Sequence, residues 1–128
     1  MPRLDKYTIL IVDDDEDILA SMELAMRAEG AATLTAADGT EAVAKCTAGS
    51  PDAVILDMML PKRSGFLVLE EIQALPSPPI VVMVTANEGK RHMAYATALG
   101  VQAYLIKPVG LDRLIETVCS LLEKKEDS

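Results

Sequence analysis

The chain has 128 residues, half of them hydrophobic, which is enough for one domain around one core and too apolar for a disordered segment. Lys and Arg number 12 against 20 Asp and Glu, and the net charge of −8 argues against the basic face that nucleic-acid binding requires. One His and two distant cysteines, Cys46 and Cys119, leave little for a Cys/His metal cluster, a CxxC redox motif or a Ser-His-Asp arrangement.

The first predicted strand is YTILIV (7–12), an apolar run that ends abruptly in Asp13, Asp14, Asp15, Glu16 and Asp17. Packing like charges so closely costs free energy unless something positive sits among them. A helix over 16–29 opens within the acids, which suit the positive end of its dipole, and stops at Gly30. ATLTA (32–36) alternates and suits an edge strand. Asp38 is an N-cap for a helix over 39–48, which ends at Gly49-Ser50-Pro51. AVILD (53–57) is the next buried run, and Lys62-Arg63 read as a solvated loop behind it. A helix over 65–75 stops before Pro76-Ser77-Pro78-Pro79. IVVMV (80–84) leads through Thr85 to a helix over 88–99, closed by Gly100, with His92 expected on the surface. QAYLI (102–106) runs into Lys107-Pro108. The last helix carries Leu111, Leu114, Ile115, Val118, Leu121 and Leu122 in an apolar stripe, after which EKKEDS is expected to fray. One domain over 1–128 follows, with a core of about 7–123 and a charged tail over 124–128. Both cysteines fall in helical patterns and are expected as buried free thiols, and the seven Met residues as mostly core filler. With no membrane-length apolar run and no signal peptide, the expected location is the cytoplasm.

Near-continuous apolar strands alternating with helices call for an α/β fold, a parallel sheet covered on both faces. Short right-handed crossovers favour a doubly wound topology. Five strands fit the flavodoxin-like order 2-1-3-4-5 better than the six-stranded dinucleotide order, and neither GxGxxG nor GxxxxGK[ST] is present.

In such a sheet the site lies at the carboxyl ends of the strands, between strands 1 and 3, where the order reverses. Asp13 and Asp14 follow strand 1, Asp57 ends strand 3, Thr85 follows strand 4 and Lys107 ends strand 5. Taken singly, each also fits a helix cap or a turn. Together they surround one crevice. Three carboxylates resist joint ionisation, and a divalent cation removes that cost; oxygen donors without His or thiolate suggest Mg²⁺ or Mn²⁺. A metal, a lysine and a hydroxyl can hold the equatorial oxygens of a transferring phosphoryl group.

Over nearly its full length the chain resembles the receiver domain of bacterial two-component response regulators. The matching pieces are ILIVDDDEDI, AADGTEAV, PDAVILDMMLPKRSGFLVLEEI, PIVVMVTA and ALGVQAYLIKP, in that order, and a final amphipathic helix. The resemblance implies a phosphorylation-activated signalling switch, not a conventional enzyme, since such a domain catalyses only its own phosphorylation and dephosphorylation. Asp57 would accept a phosphoryl group from the phosphohistidine of a sensor histidine kinase or a phosphotransfer protein. Asp14 would ligate Mg²⁺ directly, Asp13 through water, and the backbone carbonyl of Met59 would be a further ligand beside Asp57. Thr85 and Lys107 would grip the phosphate, the Lys107–Pro108 bond would be cis, and Tyr104 would be the aromatic switch that moves with Thr85. The output partner would dock on the face of the fourth helix, fifth strand and fifth helix, with Lys90, Arg91, Tyr95 and Tyr104 as candidates.

The sequence departs from the family in small ways. Val109-Gly110 stands where Phe is common, which leaves the last helix less anchored at its start. Met59 and Asn87 occupy positions that vary in the family and would overhang the path of a hydrolytic water. No output domain follows Leu122, so either a stand-alone receiver or a piece of a longer regulator is expected. Two other readings compete. A pseudo-receiver acting only as a docking module is expected to lack the acid pair, Asp57 or Lys107, and this chain has all of them. A small aspartyl-phosphate phosphatase of the haloacid dehalogenase type resembles DxDxT at its nucleophile, whereas Asp57 is followed by Met58 and Met59.

Overall fold

A computed structural model describes residues 3–86 and 89–127. Strand and helix alternate as β1 (Thr8–Val12), α1 (Glu16–Ala28), β2 (Ala32–Ala36), α2 (Gly39–Gly49), β3 (Ala53–Leu56), α3 (Gly65–Gln73), β4 (Ile80–Thr85), α4 (Lys90–Ala98), β5 (Ala103–Ile106) and α5 (Leu111–Glu126). The strands form one parallel sheet in the order β2-β1-β3-β4-β5. The doubly wound α/β order read from the sequence is therefore the order of the molecule.

Successive side chains of a strand point to opposite faces, so each apolar run feeds two cores. Ile9, Ile11, Ile55, Val82 and Val84 pack against Met22 and Met26 of α1 and against Leu114, Val118 and Leu122 of α5. Leu10, Val12, Val54, Leu56 and Met83 meet Ala42 and Cys46 of α2, Val68 and Ile72 of α3, and Ala96 of α4. Burial on both faces explains why β1, β3 and β4 read as unbroken apolar runs, while the half-exposed edge strand β2 alternates. Both cysteines are free and buried. Met22, Met26, Met58 and Met83 fill core space, whereas Met59 and Met93 are exposed.

The helix ends follow local chemistry. Asp15 caps α1, accepting from the N–H groups of Asp17 and Ile18 at 3.0 and 3.1 Å. Asp38 caps α2 through Glu41 N–H at 2.8 Å, and Ser64 caps α3 through Leu67 N–H at 3.3 Å. Gly30 and Gly100 take positive φ after α1 and α4. The far terminus differs from expectation. α5 does not fray at residue 124 but continues through Glu126, because Lys124 and Lys125 complement its carboxyl end and Glu126 pairs with Lys6 at 2.5 Å. The core likewise begins earlier than residue 7, since Leu4 is fully buried. α4 begins at Lys90 rather than 88, a position outside the described residues, as is Asn87.

Candidate functional site

Register brings the polar strand ends together. Val12 pairs with Leu56, so Asp13 and Asp57, each one residue further on, lie side by side. Asp13 N–H donates to the Ala36 carbonyl and Asp57 N–H to the Val12 carbonyl, both at 3.1 Å, which carries the ladder one step past each strand. Thr85 pairs with Ile106, and Lys107 N–H donates to the Thr85 carbonyl at 2.8 Å. Asp13, Asp57 and Thr85 are buried, and Asp14 is exposed at the rim.

Each buried carboxylate divides its oxygens between backbone and lysine. Asp13 Oδ1 accepts from Asp15 N–H at 2.9 Å, and Asp57 Oδ1 from Met59 N–H at 3.1 Å. The Lys107 ammonium donates to Asp13 Oδ2 at 2.6 Å and to Asp57 Oδ2 at 3.0 Å. This is the positive group that the run of aspartates calls for. Burial is the largest influence on Asp57 and raises its pKa; Met59 N–H and Lys107 pull the other way, and Asp13 adds to the rise. For Lys107, burial alone would lower the pKa, but the hydrogen bonds to Asp13 and Asp57 outweigh it and the ammonium is held above its ordinary range.

Asp13, Asp14 and Asp57 can each present an oxygen within 4.8 Å of the others. Three carboxylates against one ammonium leave two negative charges when all are ionised, which matches a divalent cation. Oxygen donors alone, with two of the three acids buried, fit Mg²⁺ or Mn²⁺.

The remaining expected residues take these places. The Lys107–Pro108 peptide is cis. Tyr104, half-buried, pairs with Met83, two residues before Thr85 on the same face of the sheet, and packs against the core beneath α4. Burial raises its pKa. Met59 is 63% exposed, and its backbone N–H donates to the Asp57 carboxylate. Tyr95 is turned toward α3, where its ring meets Phe66 edge-on at 4.9 Å and its hydroxyl donates to Glu70 at 3.2 Å. His92 is exposed, as expected, and stacks on the same Phe66. Lys62 and Arg63 are not simply solvated: Lys62 pairs with Asp38 at 3.3 Å and Arg63 with Glu71. The sequence reading missed Phe66 and Glu70, whose contacts cross between helices.

Comparison with known proteins converges on one family. A response regulator receiver domain model matches residues 9–119. The transcriptional regulatory protein PrrA of Mycobacterium tuberculosis is 34% identical over 117 residues, which are 91% of this chain and 50% of PrrA. The chain thus spans about half the length of the curated relatives it matches. A receiver domain protein from Methanospirillum hungatei superposes with a TM-score of 0.91 at 30% identity, covering 94% of this chain and 97% of that one. A CheY from Borrelia burgdorferi, described in complex with CheX, BeF3 and Mg²⁺, gives a TM-score of 0.85 at 28% identity, covering 90% and 88%.

Proposed function

The chain belongs to the response regulator receiver domain family, and on that premise we propose that Asp57 is its phosphoacceptor, taking a phosphoryl group from the phosphohistidine of a kinase or phosphotransfer protein. The observation that carries this reading is the Lys107 ammonium bridging Asp13 and Asp57, with Asp14 beside them. An Asp57 oxygen bonds to phosphorus as the P–N bond breaks, and the departing imidazole keeps the electron pair and takes a proton. Met59 N–H holds Oδ1 and fixes the carboxylate rotamer. Lys107 exchanges its contact with Asp57 Oδ2 for a phosphoryl oxygen, and Thr85, buried at the adjoining strand end, supplies a hydroxyl to another. Asp13, Asp14, Asp57 and the Met59 carbonyl would hold Mg²⁺, whose charge offsets that of the phosphoryl oxygens.

The reading extends to signalling. Thr85 drawn toward a phosphoryl group leaves space for Tyr104 on the same face, and the α4–β5–α5 surface with Lys90 and Arg91 is the partner surface. Among the described residues α4 buries Ala96 alone, so its displacement exposes little apolar area. Amide shifts on adding beryllofluoride should reach α4 and β5; changes confined to the neighbourhood of Asp57 would refute the surface.

Incubation with acetyl phosphate and Mg²⁺, read by intact mass, tests the phosphoacceptor. One phosphoryl group is expected on the wild type and none on Asp57→Ala or in the presence of a chelator. Unchanged labelling in either control overturns the assignment.

A further inference from the structure

The loop that links Asp57 to α3 contains an unusual turn. Lys62 has φ 68°, a left-handed conformation rare outside glycine and asparagine, and Arg63 N–H donates to the Pro61 carbonyl at 2.8 Å. A bond from residue i to i+2 around a residue of positive φ is the strained form of γ-turn. Such a turn persists only where its surroundings over-determine it.

The surroundings are the amino end of α2. Gly39 N–H donates to the same Pro61 carbonyl at 3.3 Å. Asp38 divides its carboxylate, Oδ1 capping α2 through Glu41 N–H at 2.8 Å and Oδ2 lying 3.3 Å from the Lys62 ammonium. Gly39 is not required by its own backbone, since it is the first residue of α2 and its φ is not positive. Helix propensity there favours alanine. Space forbids it: a Cβ on Gly39 would lie 2.5 Å from Arg63 Cβ and 2.6 Å from the Arg63 carbonyl oxygen. The other end of the loop is closed in the same way, with Gly65 N–H on the Met58 carbonyl at 2.7 Å and no room for a Cβ against Met58 Cα. The segment between these clamps includes Met59, two residues after the phosphoacceptor.

From this we infer that Asp38 and Gly39 are positioning residues for the metal-binding loop: α2 presses on the strained turn at 61–63 and thereby fixes the backbone at Met59. The inference rests on the reading of Asp57 and the Met59 carbonyl given above. Loosening the clamp should weaken Mg²⁺ binding, because groups that orient ligands influence affinity almost as ligands do. It should leave the chemistry intact once Mg²⁺ saturates.

The test follows Mg²⁺ titrations by amide chemical shift, acetyl phosphate labelling across Mg²⁺ concentrations, and thermal unfolding. Gly39→Ala should raise the Mg²⁺ dissociation constant about tenfold and lower the unfolding midpoint, since its Cβ meets the Arg63 backbone, with the labelling rate of the folded variant at saturating Mg²⁺ close to wild type. Lys62→Met should raise it about twofold, the modest effect of an exposed ion pair, and Lys62→Arg should restore it. The Lys62 pair decides the matter should Gly39→Ala fail to fold. Wild-type Mg²⁺ affinity in folded Gly39→Ala, or equal affinities in Lys62→Met and Lys62→Arg when the alanine variant cannot be folded, overturns the inference alone. A wild-type protein that binds no Mg²⁺ overturns the functional reading beneath it as well.

Discussion

At the proposed metal site Lys107 would compete with a cation for Asp13 and Asp57. Its ammonium donates to Oδ2 of Asp13 and of Asp57, two of the three acids that could hold a cation. Removing that charge should tighten Mg²⁺ binding, because a unit charge a few ångströms away in a partly buried site is felt strongly. We expect Lys107→Met to lower the Mg²⁺ dissociation constant by about tenfold, while labelling by acetyl phosphate slows for want of a donor to the phosphoryl oxygen. Titration of the Asp13 and Asp57 amides reads the first effect; an unchanged or weaker affinity contradicts the competition. Met59 bears on loss of the phosphoryl group. Hydrolysis of a phosphoaspartate needs water in line with the P–O bond, and on the family resemblance the flexible thioether of the exposed Met59 would overhang that approach and shield it without orienting a water. Met59→Asn should therefore speed phosphate loss by roughly tenfold, about 1.4 kcal/mol in the barrier. Phosphate release from purified phosphoprotein in excess Mg²⁺ measures it, and equal or slower release shows that Met59 is not a shield.

α4 is the helix held least by the core and most by one aromatic cluster. The single Phe and single His of the chain meet there with one of its three Tyr, joining α3 to α4. Phe66 stacks on His92 with ring centroids 5.9 Å apart and meets Tyr95 at 4.9 Å. An aromatic pair of this geometry contributes about 0.5–1.5 kcal/mol beyond its buried area. Phe66→Ala should thus raise amide exchange in α4 by up to about tenfold while β4 and β5 stay protected. Uniform protection across the variant would mean that Ala96 and Leu99 suffice to hold the helix. This clasp also marks where the sequence stops being legible. The strand-end acids, Thr85 and Lys107-Pro108 could be placed because an apolar run fixes a strand, a strand fixes its end, and the order fixes which ends meet. Tyr95 could not be, because helical periodicity says which face is polar but not which neighbouring helix it meets. The turn at Lys62 was hidden for another reason: positive φ is read from Gly or Asn, and here a lysine is forced into it by α2.

Across the whole molecule the N-terminal residues are stapled to the C-terminal helix, which is why α5 keeps its last turn. Leu4 is fully buried and its N–H donates to the Glu29 carbonyl at 2.8 Å. Arg3 pairs with Glu116 and Glu123, each at 2.6 Å, and Lys6 with Glu126 at 2.5 Å. Arg3 foremost, then Ser120, holds the Glu116 carboxyl below its ordinary range, and Lys6 does the same for Glu126. A carboxyl whose pKa is lower in the folded state binds fewer protons there than in the unfolded chain. Its contribution is complete at neutral pH and is lost as pH falls through the folded value. The net charge of −8 acts in the opposite direction, since taking up protons relieves self-repulsion before these pairs break. The staples are solvent-exposed, so their effect is small and best read as a difference. We expect the urea midpoint of Arg3→Ala to lie below that of the wild type at pH 7, and the gap to close as pH drops below about 4. The same convergence is expected for Lys6→Ala, through Glu126. A gap that persists unchanged at pH 3 would show that Arg3 acts through the packing of its aliphatic stem over α5 rather than through its charge.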